Sequence, residues 1–142
     1  MEYDCLIEVL KSKLHRAEVT GANVDYEGSL SISEDLMEAV GIVPFEKILC
    51  GNQSNGARFE TYAIPAPASG GQIILNGATA RLGEVGDLLT ILSFARMTLE
   101  VARGWKPSVA TLSNGNREVS LHAPVAETPE SYTAPMESAI TG

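Results

Sequence analysis

Residues 87–94 read DLLTILSF, and the assignment of this run decides the fold class. An almost unbroken apolar stretch of this length suits a β-strand buried on both faces. Working outward, RFETYAIPA (58–66) alternates apolar and polar residues over part of its length, as a half-buried strand does. In all, strands are expected at 5–20, 46–53, 57–66, 72–76, 87–96 and 108–113. Turn signals fall at SNG (54–56) and at the NG pairs 76–77 and 114–115. One helix is clear, in SISEDLMEAVG (31–41). Ser31 and Glu34 fit a capping box, Ser33 is an equally good N-cap, Leu36, Met37 and Val40 form an apolar stripe, and Gly41 is a stop. A second short helix is expected at 98–104. Short strands with few helices predict a mainly β fold, a small barrel or sandwich.

At 142 residues the chain is expected to form one domain with a real core. A net charge of −8 without a Lys/Arg cluster argues against nucleic acid or an anionic membrane as partner. No window approaches the ~18 apolar residues of a membrane span, and the acidic start MEYDC does not resemble a signal peptide. The two cysteines, Cys5 and Cys50, lack metal-ligand spacing and read as reduced, mostly buried thiols of a cytoplasmic protein. From about residue 122 the Pro/Ser/Thr-rich sequence loses periodicity, so a domain over 1–121 and a flexible tail over 122–142 are expected.

YEGSLS (26–31) raises a chemical question. Gly28-Ser29 reads as a tight turn between a strand end and the next element. It is also a bond that a chain can cut by itself. A serine hydroxyl beside a strained peptide can attack the preceding carbonyl in an N→O acyl shift. The ester is then lost by β-elimination, and the resulting dehydroalanine hydrolyses to a pyruvoyl group and ammonia. The products are residues 1–28 and 29–142, the second beginning with a ketone that serves as an electron sink in decarboxylation. A glycine before the serine tolerates the strained geometry. The reaction needs a donor at the Gly28 carbonyl, a cation for a substrate carboxylate and an acid to protonate a carbanion.

Other chemistries have weaker support. The two histidines, His15 and His122, make a poor zinc set, with His122 placed in the tail. No G-x-S-x-G elbow and no phosphate-binding P-loop is present. Taken singly, the polar candidates are unremarkable. Lys13 and His15 would share one face of a solvated strand edge. Arg58 would sit in a surface ion pair, Thr61 and Tyr62 are ordinary strand formers, and Asn76-Gly77 is a turn.

Together they form a pattern. KSKLHRAEVT (11–20), YEGS (26–29), NGARFETYAI (55–64) and LNGATARLGEVGD (75–87), with WKPSV (105–109), resemble the bacterial aspartate 1-decarboxylases in order and spacing. The resemblance covers about residues 5–119. It implies a double-psi β-barrel with one or two short helices, a homotetramer with active sites between subunits, and self-cleavage at Gly28-Ser29. It further implies a pyruvoyl cofactor derived from Ser29, with no metal. By motif position Thr61 is the donor to the Gly28 carbonyl during processing and Tyr62 the proton donor. Arg58 and Lys13 bind substrate carboxylates. Asn76, Gly77, Ala78, His15 and Tyr26 complete the pocket. The implied substrate is L-aspartate, converted to β-alanine for pantothenate and coenzyme A synthesis; cleavage either is spontaneous or needs a maturation factor as a further partner, and the sequence leaves both open.

Three positions depart from the family pattern. Gly51 stands where a bulkier residue is usual, Thr79 where alanine is usual, and Thr90 where a β-branched aliphatic is common. A wider pocket at Gly51 would admit a related acid, 3-methylaspartate or glutamate, since one methylene is worth only about 1–3 kcal/mol of discrimination. A non-catalytic β-barrel serving binding or assembly is the reading from another class.

Overall fold

A computed structural model of the chain describes residues 5–124. It is mainly β, as expected, with two short helices. The strands are β1 (Leu6–Glu18), β2 (Gly21–Asn23), β3 (Ser29–Ser33), β4 (Lys47–Asn52), β5 (Arg58–Ala66), β6 (Ile73–Asn76), β7 (Leu88–Thr98), β8 (Ser108–Ser113) and β9 (Glu118–His122). Helix α1 spans Glu34–Val40 and α2 spans Leu99–Arg103, and a 3-10 turn runs over Gly77–Arg81. The strands join in the order β2-β6-β3-β5-β4-β7-β1-β8-β9. Parallel pairs (β1 with β8, β2 with β6, β3 with β5) lie among antiparallel ones.

The sheet rolls around a single core. Leu14, Ile91 and Ile48 from one half and Leu30, Ile32 and Ile73 from the other pack in one buried cluster, and Leu36, Met37 and Val40 of α1 belong to it. Burying such a side chain is worth about 1.5–3 kcal/mol, so the apolar stripe of α1 holds a helix only seven residues long. Its N-cap differs from expectation. Ser33 is the N-cap residue but makes no side-chain cap. Its hydroxyl instead accepts from the Gln72 amide at 2.7 Å, and Ser31 accepts from Asn76 at 2.9 Å, so no capping box forms. Gly41 ends the helix at φ +76, a left-handed conformation that glycine adopts at no steric cost.

Strand β7 corrects the reading of 87–94. Leu89, Ile91 and Ser93 are fully buried, whereas Leu88, Thr90 and Leu92 are half-buried and Phe94 is exposed. One face lies in the core and the other forms the outer floor of the sheet, flanked by β4 and β1. The apolar outer residues disguised an alternating pattern. Cys50 is buried, but Cys5 is exposed, contrary to the expectation of mostly buried thiols. Strand β1 lies between β7 and β8, so Lys13 and His15 are not on a sheet edge. His122 belongs to β9, paired with Val109. Residues 125–142 of the expected tail lie outside the described residues.

Residues 41–46 form a tightly tied loop. Glu46 Oε1 accepts from the Val43 amide and from Lys11 Nζ, both at 3.0 Å. Phe45 has φ +69, a conformation that costs a bulky L-residue on the order of 1–3 kcal/mol.

Candidate active site at Gly28-Ser29

Strand β2 ends at Asn23, whose side chain accepts from the Asp25 amide at 3.1 Å and starts an exposed turn. The turn carries Tyr26 and delivers Gly28-Ser29 to the start of β3. Ser29 is 1% exposed. Two registers fix its neighbours. In the antiparallel pair with β6, Ser29 stands opposite Asn76, and the next step places Gly28 opposite Gly77. In the parallel pair with β5, Leu30 stands opposite Ala63. Continuing that register backward sets Ser29 against Tyr62 and Gly28 against Thr61. The Gly28-Ser29 bond is therefore flanked by Thr61-Tyr62 on one side and Asn76-Gly77 on the other.

The hydrogen bonds agree with this placement. Asn76 Nδ2 donates to Ser29 Oγ at 3.1 Å, and Ser29 Oγ donates to the Glu27 carbonyl at 3.1 Å. The hydroxyl is thus oriented, with a lone pair held by an amide. Thr79 Oγ1 donates to the Asn76 carbonyl at 2.7 Å and lies 3.4 Å from the Ser29 carbonyl oxygen. Thr79 was noted in the sequence only as a departure from pattern, and its role beside Ser29 had no signal of its own. Gly77 has φ +65, and a β-carbon built on it would lie 2.6 Å from Gly28 Cα and 2.9 Å from the Tyr26 carbonyl oxygen. Glycine is required there so that the two backbones can meet. Ala78 follows it, exposed at the start of the 3-10 turn.

The candidate cations lie on the outer face of the sheet. Burial alternation puts Arg58, Glu60 and Tyr62 of β5, Leu49 and Gly51 of β4, Thr90 and Leu92 of β7, and Lys13 and His15 of β1 on the outer face. A groove of about 340 Å³ runs over this face, with Arg58, Gly51, Thr90 and Leu92 among its walls. A β-carbon at Gly51 would meet nothing within 4 Å, so the small residue leaves the groove floor open. Thr90 Oγ1 contacts His15 Nδ1 at 3.5 Å. Neither Lys13 nor Arg58 has an ion-pair partner among the described residues. The His15 pKa is held below its ordinary 6.5, first by burial, then by the charges of Lys13, Arg16 and His122. The lowered pKa favours the neutral imidazole, which lies beside Thr90 at the groove's wall.

Lys13 lies on β1, four strand positions from β3 and Ser29 in the order of the sheet. Strand pairing sets Ser29, Asn76, Gly77, Thr61 and Tyr62 side by side within one chain, whereas Lys13 and His15 lie on β1, which does not pair with β3.

Comparison with known proteins identifies the family. The aspartate decarboxylase family model matches residues 5–119. The chain is 47% identical to the aspartate 1-decarboxylase of Pelotomaculum thermopropionicum, over 87% of this chain and 93% of the relative. It is 48% identical to that of Caldicellulosiruptor saccharolyticus, over 82% and 91%. Against the enzyme of Syntrophobacter fumaroxidans the identity is 52%, over 79% and 90%. A match of this extent, with a buried serine oriented beside Asn76 and Gly77, places the chain in the aspartate decarboxylase family.

Proposed function

We propose that the chain is a self-processing, pyruvoyl-dependent aspartate 1-decarboxylase that converts L-aspartate to β-alanine and carbon dioxide, supplying pantothenate and coenzyme A synthesis. The observation that carries this reading is the setting of Gly28-Ser29 between Thr61-Tyr62 and Asn76-Gly77. The related enzymes are named for aspartate, which favours it over 3-methylaspartate or glutamate.

Processing uses the chain's own atoms. Ser29 Oγ attacks the Gly28 carbonyl carbon and the peptide nitrogen leaves, giving an ester. Asn76 holds the attacking oxygen, and Thr61, opposite Gly28, is the donor to the oxyanion. Loss of the Ser29 α-proton expels the Gly28 carboxylate and leaves dehydroalanine, which takes up water and releases ammonia. The residues around Ser29 fit a group made from its side chain, because Gly77 leaves room for the backbone and Asn76 supplies a polar anchor. Once formed, the pyruvoyl group supplies a ketone that engages the substrate amine and accepts the electron pair left by carbon dioxide.

Lys13 and Arg58 bind the substrate carboxylates as cations without competing ion pairs. Tyr62, on the same face as Ser29, returns a proton to the α-carbon. Backbone groups of Gly77 and Ala78 contact the substrate, and His15 and Tyr26 line the pocket. The same reading includes a homotetramer in which a second copy brings Lys13 and His15 to the site, since β1 does not pair with β3 within one chain. It also sets the enzyme in the cytoplasm, where its free thiols stay reduced. The test is β-alanine formation from aspartate by the wild type, Ser29→Ala and Tyr62→Phe. The wild type should turn over, Ser29→Ala should be inactive, and Tyr62→Phe should cleave but decarboxylate far more slowly. A wild-type chain that cleaves and leaves aspartate untouched contradicts the assignment.

A further inference from the structure

Residues 43–46, Val-Pro-Phe-Glu, form a tight turn in which the Glu46 amide donates to the Val43 carbonyl at 3.1 Å. Pro44 holds the second position, which suits its fixed φ. The third position has φ +69, and a turn of this form favours Gly or Asn there, because a β-carbon is crowded at positive φ. The chain places phenylalanine at that position. Core packing does not explain the choice, since Phe45 is 75% exposed.

The turn has no freedom to relax. The Phe45 amide donates to the Ala63 carbonyl at 2.8 Å, and the Ala63 amide donates to the Glu46 carbonyl at 3.0 Å. Lys11 and the Val43 amide fix Glu46 from the other side. The backbone is thus determined by its surroundings, and the ring projects from it in a set direction. That ring lies against Tyr62, with centroids 6.2 Å apart and planes tilted by 38°, within the range of a favourable aromatic pair. Among the described residues the Tyr62 hydroxyl has no hydrogen-bond partner, so packing alone sets the direction of its phenol. A bulky residue kept at a strained, exposed position beside a reactive side chain is the kind of local conflict that marks function.

We propose that Phe45 is a positioning residue for Tyr62, with its ring held on the strained turn as a wall that fixes the direction of the phenol. The inference rests on the reading of Tyr62 as the proton donor.

The test substitutes Phe45→Asn, which suits positive φ and removes the ring, and Phe45→Tyr, which keeps a ring. Phe45→Asn should raise Tm by about 2–4 °C, should still yield both fragments by intact mass, and should lower kcat by about tenfold with KM changed less than about twofold. Phe45→Tyr should keep kcat near the wild-type value with no gain in Tm. In a Tyr62→Phe background, Phe45→Asn should produce little further loss, because the two residues act as one unit. An unchanged kcat in Phe45→Asn overturns the inference. So does a lowered Tm, which would make the ring a support of the fold, or a changed oligomer mass, which would make it a subunit contact. A slow Tyr62→Phe beside a normal Phe45→Asn removes only the positioning role. A normal Tyr62→Phe removes the proton-donor reading, and this inference with it.

Discussion

Gly28 and Gly77 meet backbone to backbone: a β-carbon on Gly77 would lie 2.6 Å from Gly28 Cα and 2.7 Å from Gly28 N. No L-side chain fits that gap, and φ +65 at Gly77 disfavours one in any case. Gly77→Ala must displace either the 26–28 turn or the 77–81 turn. Strain of this kind costs on the order of 1–3 kcal/mol. The expected result is a lowered Tm and cleavage slowed by about tenfold or more, read as the fraction of cut chain over time.

Asn76 is the polar anchor of the site. It is 3% exposed, and its amide serves both Ser29 and Ser31. Asn76→Ala leaves two hydroxyls short of a donor, a loss of about 1–3 kcal/mol in a buried setting, and frees the Ser29 rotamer. Cleavage should slow markedly while the melt shifts by a few degrees. Thr79→Val removes the 2.7 Å bond to the Asn76 carbonyl and should slow cleavage by less. A Thr79→Val effect larger than that of Asn76→Ala would contradict this ranking.

The two thiols should differ sharply in reactivity. Burial pushes the Cys50 pKa up to about 12, so almost no thiolate exists at pH 8. Cys5 is exposed. Alkylation of the native protein at pH 8 should modify one cysteine, Cys5, and a second should react only in denaturant. Rapid modification of Cys50 in the native state would show that the core around Leu14 and Ile91 opens readily.

His15 sets a pH dependence. Its folded pKa lies below the ordinary 6.5, so around and below pH 6.5 the unfolded chain binds more protons than the folded one. Its contribution to stability is therefore present above pH 6.5, falls as the pH drops through that value, and levels off beneath the folded pKa. His15→Gln should flatten this part of the Tm-against-pH curve. Equal slopes in the variant and the wild type would assign the acid sensitivity to other groups.

Much of this fold was legible because core strands carry a strong pattern: β4 to β8 lie close to their expected ranges. Strand β9 escaped because all of EVSLH is exposed, so no inside-outside alternation marks it. Strand β3 was absorbed into the helix signal because its serines look like caps, whereas their hydroxyls accept bonds from Asn76 and from the Gln72 amide. The candidate site residues stand out in the sequence as four separated motifs. The registers that bring Thr61-Tyr62 and Asn76-Gly77 to either side of Gly28-Ser29 are long-range pairings with no local signature. Thr79 and Phe45 gain meaning only from their neighbours, Ser29 and Tyr62.

The central claim is that Ser29 converts its own peptide bond into a pyruvoyl group. The most direct measurement is the intact mass of the purified protein under denaturing conditions, for the wild type and Ser29→Ala. The account predicts two wild-type fragments, 1–28 and 29–142, the larger beginning with a ketone that hydrazine modifies, and one uncut chain for Ser29→Ala. A wild-type chain that stays whole after prolonged incubation with lysate of its own host, or a Ser29→Ala chain that still divides at this bond, contradicts it.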